Sequence, residues 1–105
     1  MIQSELESLI SVSVRYLVNF SVATGKKQEE ITLPNSATLS DLIGKLTERY
    51  GNALKKEIFD SKTGGVKPHV LILIDGRSLD QFKERLGTPL ANGSSVIFTF
   101  PVTGG

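Results

Sequence analysis

The residues best placed for chemistry close the sequence. Pro101-Val102-Thr103-Gly104-Gly105 follow directly on the alternating run Val96-Ile97-Phe98-Thr99-Phe100, so an α-carboxylate is borne on two residues without side chains. Glycine has no Cβ and adopts backbone conformations closed to other residues, so Gly104-Gly105 can thread a channel too narrow for anything larger. A carboxylate is a poor electrophile in water and does not react with an amine or with sulfide until it is activated. The tail therefore suits an acyl group handed to another protein. An ordinary frayed chain end has the same composition, and the tail alone does not separate the two readings.

Other reactive constellations are missing. The 105 residues contain no Cys, which removes disulfides, thiolate nucleophiles and Cys-type metal sites. If the protein handles sulfur, the sulfur is not held on a side-chain thiol. The single His, His69, cannot build a multi-His metal site, and no nucleophile is paired with it for catalysis. Twelve basic residues stand against eleven acidic ones, spread along the chain, so no nucleic-acid footprint is expected. No apolar run approaches the ~20 residues of a membrane helix, and the start Met1-Ile2-Gln3-Ser4-Glu5 is unlike a secretory signal. A cytoplasmic protein without nucleic-acid or membrane partners is expected, of a length that fits one domain.

The elements that must position the tail can be read in order. Leu6, Leu9 and Ile10 have helical spacing, so residues 1–10 read as a short N-terminal extension, helical or an arm. Val12, Val14 and Tyr16 alternate with Ser13 and Arg15 and predict a half-buried strand. Leu17 to Ala23 is apolar without a clean period; the strand either continues or breaks there. Thr24-Gly25-Lys26-Lys27 turns the chain, Glu29 to Leu33 returns as the second strand of a hairpin, and Pro34-Asn35 ends it. Thr38 and Asp41 are spaced as a weak capping box ahead of Leu39, Leu42, Ile43, Leu46 and Tyr50, which share one helical face before Gly51. Each of the four aliphatic residues contributes about 1.5–3 kcal/mol if fully buried. Gly44 falls on the outer face, where it is unfavourable relative to Ala.

Leu54 and Ile58 predict a short second helix, and residues 60–68 a loop whose internal Gly64-Gly65 bears no carboxylate. Val70 to Ile74 is apolar throughout and predicts a central strand with no wet face. Asp75-Gly76 turns it, the chain returns through Arg77 to Leu86 with Leu79, Phe82 and Leu86 inward, and Asn92-Gly93 launches the last strand. This order predicts an α+β domain over residues 11–101: a mixed sheet of four to five strands with one main helix across one face. The other face is left for partners. If Val96 and Phe98 point to the core, Ile97 and Thr99 lie on that open face.

Four stretches resemble the MoaD branch of the ubiquitin-like sulfur carriers, the MoaD/ThiS-type family, whose fold is the β-grasp. They are Gly25-Lys26-Lys27 through Leu33-Pro34 to Ala37-Thr38-Leu39-Ser40-Asp41-Leu42; Pro68-His69-Val70 to Asp75-Gly76-Arg77; Thr88-Pro89-Leu90-Ala91-Asn92-Gly93; and Pro101-Val102-Thr103-Gly104-Gly105. The resemblance spans residues 11–105. Phe100 stands where the first Pro of a usual pair would be, and Ser94-Ser95 where an acidic residue is common.

The resemblance implies that the chain is a carrier and not an enzyme. A ubiquitin-activating-type enzyme would use ATP to adenylate the Gly105 carboxylate, with no cofactor bound to the carrier itself. Displacement of AMP by a sulfur donor would give a C-terminal thiocarboxylate, as in the small subunit of molybdopterin synthase, whose partner is the large subunit. Displacement by a lysine amine would give an isopeptide bond, as in the small archaeal modifier and ubiquitin-related modifier types. An interaction domain with incidental terminal glycines is the third reading. Ordering a tail residue costs roughly 1–2 kcal/mol of backbone entropy, so a folded surface must add affinity. Ile97, Thr99, Phe100, Pro101 and Val102 are the candidate partner contacts, with Phe100 equally readable as core. The tail proper, residues 102–105, is expected to project as a flexible segment. Arg77 and lysines such as Lys55, Lys56 and Lys62 read first as solvated charges.

Overall fold

The computed structural model describes residues 9–101, in which side chains alternate or repeat with the period of the element that buries them. Strand β1 (Leu9–Tyr16) buries Ile10, Val12, Val14 and Tyr16, every second residue. A short helix α1 (Asn19–Thr24) interrupts the return to β2 (Gln28–Pro34), which buries Ile31 and Leu33 on the same side. Helices α2 (Leu39–Tyr50) and α3 (Asn52–Ile58) follow, then β3 (Leu71–Ile74), a two-residue β4 (Arg77–Ser78), two 3-10 turns and β5 (Ser95–Thr99). The sheet order is β2-β1-β5-β3-β4. β1 runs antiparallel to β2 but parallel to β5, and β3 is antiparallel to β5. The last strand is thus the middle of the sheet, which gives the segment after it a rigid base.

Helix α2 starts as its sequence predicts. The Asp41 N–H donates to the Thr38 hydroxyl and the Thr38 N–H donates to the Asp41 carboxylate, a complete capping box. Leu39, Leu42, Ile43 and Leu46 are buried against the sheet. Gly44 lies on the solvent side, where an added Cβ would meet nothing within 4 Å. Gly44→Ala is therefore expected to raise stability by about 0.5–1 kcal/mol, read as a higher urea midpoint with an unchanged m-value.

The hairpin is tied to the end of α2 by a carboxylate. Glu29, its side chain 9% exposed, accepts hydrogen bonds from the Tyr16 and Tyr50 hydroxyls, both at 2.6 Å, and pairs with Lys26 and Arg49. Burial opposes ionisation of this carboxyl, but the donors from Tyr16, Tyr50 and Lys26 outweigh it and its pKa falls below the ordinary value of 4.5. Burial, reinforced by the same carboxylate, pushes the Tyr16 hydroxyl above the usual phenol range. Because folding lowers the Glu29 pKa, its contribution to stability is complete above the ordinary carboxylate range and is lost as pH falls through and below it. Glu29→Ala, which orphans the buried Tyr16 hydroxyl, is expected to cost about 2–3 kcal/mol at neutral pH. Urea unfolding of both proteins at neutral and at acid pH checks this: the gap between them should shrink in acid.

Three local expectations give way. Leu9 and Ile10 belong to β1 and Ile10 is core, so the strand begins inside the stretch read as an N-terminal extension; residues 1–8 lie outside the described residues. The aperiodic segment from Leu17 neither continues the strand nor becomes an irregular turn but forms α1, entered through Val18 at φ 56. A β-branched residue reaches that region only under strain, and the Ser21 N–H and hydroxyl both donate to the Val18 carbonyl. β3 does have a wetter face: Ile72 and Ile74 are buried, Leu71 and Leu73 only half so. It runs between β5 and the two-residue β4 with helices on one side alone, so alternate residues remain uncovered. The return through Arg77 pairs for two residues and then coils through 3-10 turns, and Leu79, Phe82 and Leu86 turn inward as expected, the first buried and the other two half-buried against the core.

Candidate functional site

The chain leaves the sheet at the end of β5, so the residues that fix β5 fix the base of the tail. Asp75 and Gly76 both have positive φ, 51° and 83°, as a two-residue type I′ hairpin turn requires. That turn aims the Asp75 carboxylate at the start of β5, where the Ser95 N–H donates to it at 2.9 Å, while the Asp75 N–H donates to the Ser95 carbonyl at 2.8 Å. On the other side, the Asn92 side-chain oxygen accepts from the Ser11 N–H at 2.8 Å and the Gly93 N–H donates to the Ser11 carbonyl. β5 is therefore latched to both of its neighbours before its first core residue, Val96.

Within β5, Val96 and Phe98 are fully buried and Ile97 and Thr99 face the other way, half-buried, as expected. Ile97 stands in register with Arg15 of β1 and Leu73 of β3, and Thr99 with Leu71. Leu71, Leu73, Ile97 and Thr99 thus form one continuous patch on the sheet face opposite the helices. Leu71 and Leu73 were missed by sequence reasoning because a run of five apolar residues hides a period of two.

Phe100 turns to the core side, away from that patch. Its ring stacks on Phe20 of α1 at 5.0 Å between centroids and on His69 at 5.3 Å, with interplanar angles of 28° and 19°. Phe20 in turn packs on Phe98 at 5.9 Å. Stacked pairs of this kind are worth about 0.5–1.5 kcal/mol each beyond area burial. Of the five candidate contacts, Ile97 and Thr99 share the open face, Phe100 is committed to the core edge, and Pro101 is exposed beyond it. Val102, Thr103, Gly104 and Gly105 lie outside the described residues.

His69 is thus a stacking partner of the tail's base. Among the described residues, no cluster of three or more His, Asp or Glu could hold a metal ion, and no helix is long and apolar enough to cross a membrane.

A mixed sheet in which a hairpin is followed by a helix across one face, with the final strand inserted parallel to the first, is the β-grasp of ubiquitin-like proteins. The chain belongs to the ThiS family, whose profile matches residues 14–105. The family is one of small ubiquitin-like sulfur carriers and modifiers. Three solved structures show the likeness. The Haloferax volcanii protein HVO 2177 is 28% identical with a TM-score of 0.75, over 93% of this chain and 89% of that one. The small archaeal modifier protein 1 of Methanosarcina acetivorans is 27% identical with a TM-score of 0.72, over 92% and 98%. A Pyrococcus furiosus protein assigned, provisionally, as subunit 1 of molybdopterin converting factor is 28% identical with a TM-score of 0.69, over 89% and 99%. A search of curated proteins by sequence returns no match.

Proposed function

We propose that this protein is a sulfur carrier of the MoaD kind, acting through the carboxylate of Gly105. The observation that carries the reading is the junction of β5 and the tail: a central strand latched on both sides, clamped at Phe100, leads into Pro-Val-Thr-Gly-Gly. The similarity to a molybdopterin converting factor subunit supports it. In this reading an adenylating enzyme transfers AMP from ATP to the carboxylate and releases pyrophosphate. A sulfur donor then displaces AMP, leaving a thiocarboxylate, and the acceptor is the precursor handled by a molybdopterin synthase large subunit. No side chain of the carrier takes part in bond making. Its body supplies recognition, through Ile97 and Thr99 with Leu71 and Leu73, and the exposed Pro101, followed in sequence by Val102, guides the tail.

A second reading, conjugation of Gly105 to lysines of other proteins, is supported by the similarity to a small archaeal modifier. Both use the same acyl adenylate and diverge at the nucleophile. Incubation with the activating enzyme, ATP and a sulfur source, followed by intact-mass measurement, tests the first. The expected gain is that of one oxygen exchanged for sulfur. No gain under conditions that thiolate a known carrier would refute it. Conjugation instead predicts a ladder of heavier species in cells.

A further inference from the structure

A cleft of about 770 Å³ lies between α3 and the loop that follows it, beside the base of the tail. Lys55 and Lys56 of α3 line it together with Lys67 and His69 of the segment that follows, and Phe59 is also in its lining. Three ammonium groups face one carboxylate, Asp60, an excess of two in a chain whose whole formal charge is +1. None of these lysines is in an ion pair among the described residues, whereas Lys26, Arg49 and Arg85 are. Asp60 offsets one of these charges without pairing with any of the three among the described residues, its carboxylate being held by its own loop through the Lys62 backbone N–H at 2.8 Å.

We infer that this cleft is a docking site for an acidic segment of a partner protein. Charge complementarity sets the sign of the occupant, and the geometry favours spaced carboxylates over a phosphate group. A phosphate site draws its donors from converging backbone amides, and here those amides are spent: Gly64 N–H donates to the Asp60 carbonyl, Gly65 N–H to the Thr63 hydroxyl and Lys67 N–H to the Ile58 carbonyl. What remains is a groove lined by three lysines from two segments of the chain, with the ring of Phe59 also in its lining. His69 belongs both to the groove and to the Phe100 stack, so a segment seated here lies next to the exit of the tail. This surface is separate from the Ile97 patch, and the inference does not depend on the chemistry of Gly105.

The test is a titration of the ¹⁵N-labelled full chain with a hexaglutamate peptide at low salt, followed by amide shifts. Shifts should concentrate at Lys55, Lys56, Phe59, Asp60, Lys67 and His69. Two surface charge pairs replaced by repulsion should weaken binding about tenfold or more in K55E/K67E, and K55Q/K67Q should weaken it by a smaller factor while sparing the helix end from a misplaced charge. K83E, outside the cleft, should change it less than about twofold. The proposal is overturned if the shifts lie elsewhere, or if K83E weakens binding as much as the cleft pair, which would reveal unspecific attraction. Binding of inorganic pyrophosphate in the cleft without binding of the peptide overturns it in favour of a free phosphate ligand.

Discussion

Deleting Gly104 and Gly105 should abolish every modification of this protein while leaving its melting temperature unchanged. Both residues lie past Phe100, the last described residue packed against the core, so the core contacts and sheet hydrogen bonds described above all remain in the shortened chain. What is lost is an acyl group on a backbone without Cβ atoms, which under the proposed reading is the sole substrate of the adenylating enzyme. Intact-mass measurement after incubation with enzyme, ATP and sulfur donor should show only starting material, and cells should show no conjugates. The same deletion tests the interaction-domain alternative, which predicts unchanged partners and unchanged phenotype. A less severe substitution makes the point about the channel: Gly104→Val should also block the reaction, although the carboxylate is still present.

The second large effect is expected at Ile97. Its side chain lies on the open face between Arg15 and Leu73, so Ile97→Asp places a charge in the middle of the proposed recognition patch. Central apolar anchors of interfaces commonly contribute 2 kcal/mol or more, so conversion at limiting carrier should fall about thirtyfold. The fold should survive, because the loss of strand preference is worth no more than about 1 kcal/mol and the core face of β5 is untouched. Far-UV circular dichroism and a melting curve, measured beside the conversion rate, separate the two. An unimpaired rate in a folded Ile97→Asp protein would remove the open face from the recognition surface.

Much of this architecture could be read from the sequence, and the reasons are local. The helix from Leu39 to Tyr50 carries its start signal in Thr38 and Asp41, its stop in Gly51 and its buried stripe in between. The alternation of Val96 to Thr99 fixes which side chains face the core once a helix covers one side of the sheet. Less legible were the features decided by neighbours distant in sequence. Whether Leu71 and Leu73 are covered depends on which strands and helices flank β3, which a run of five apolar residues cannot reveal. The helix α1 depends on Phe20 finding Phe98 and Phe100, nearly eighty residues away. Phe100 itself could be read as core or contact, and the rings of Phe20 and His69 decide for the core edge. The lysines of the cleft looked like separate solvated charges because Lys55 and Lys67 converge only through the loop between them.

The clamp on Phe100 also acts as a gauge. With the chain pinned there and Pro101 fixed in φ, five residues lead from the anchorage to the carbonyl carbon of Gly105, and covalent geometry limits their span to about 18 Å. Any enzyme that works on that carbon must bring its reacting groups inside this radius of the carrier's surface. The tether thereby selects partners by the depth of their active sites as well as by the surface they present.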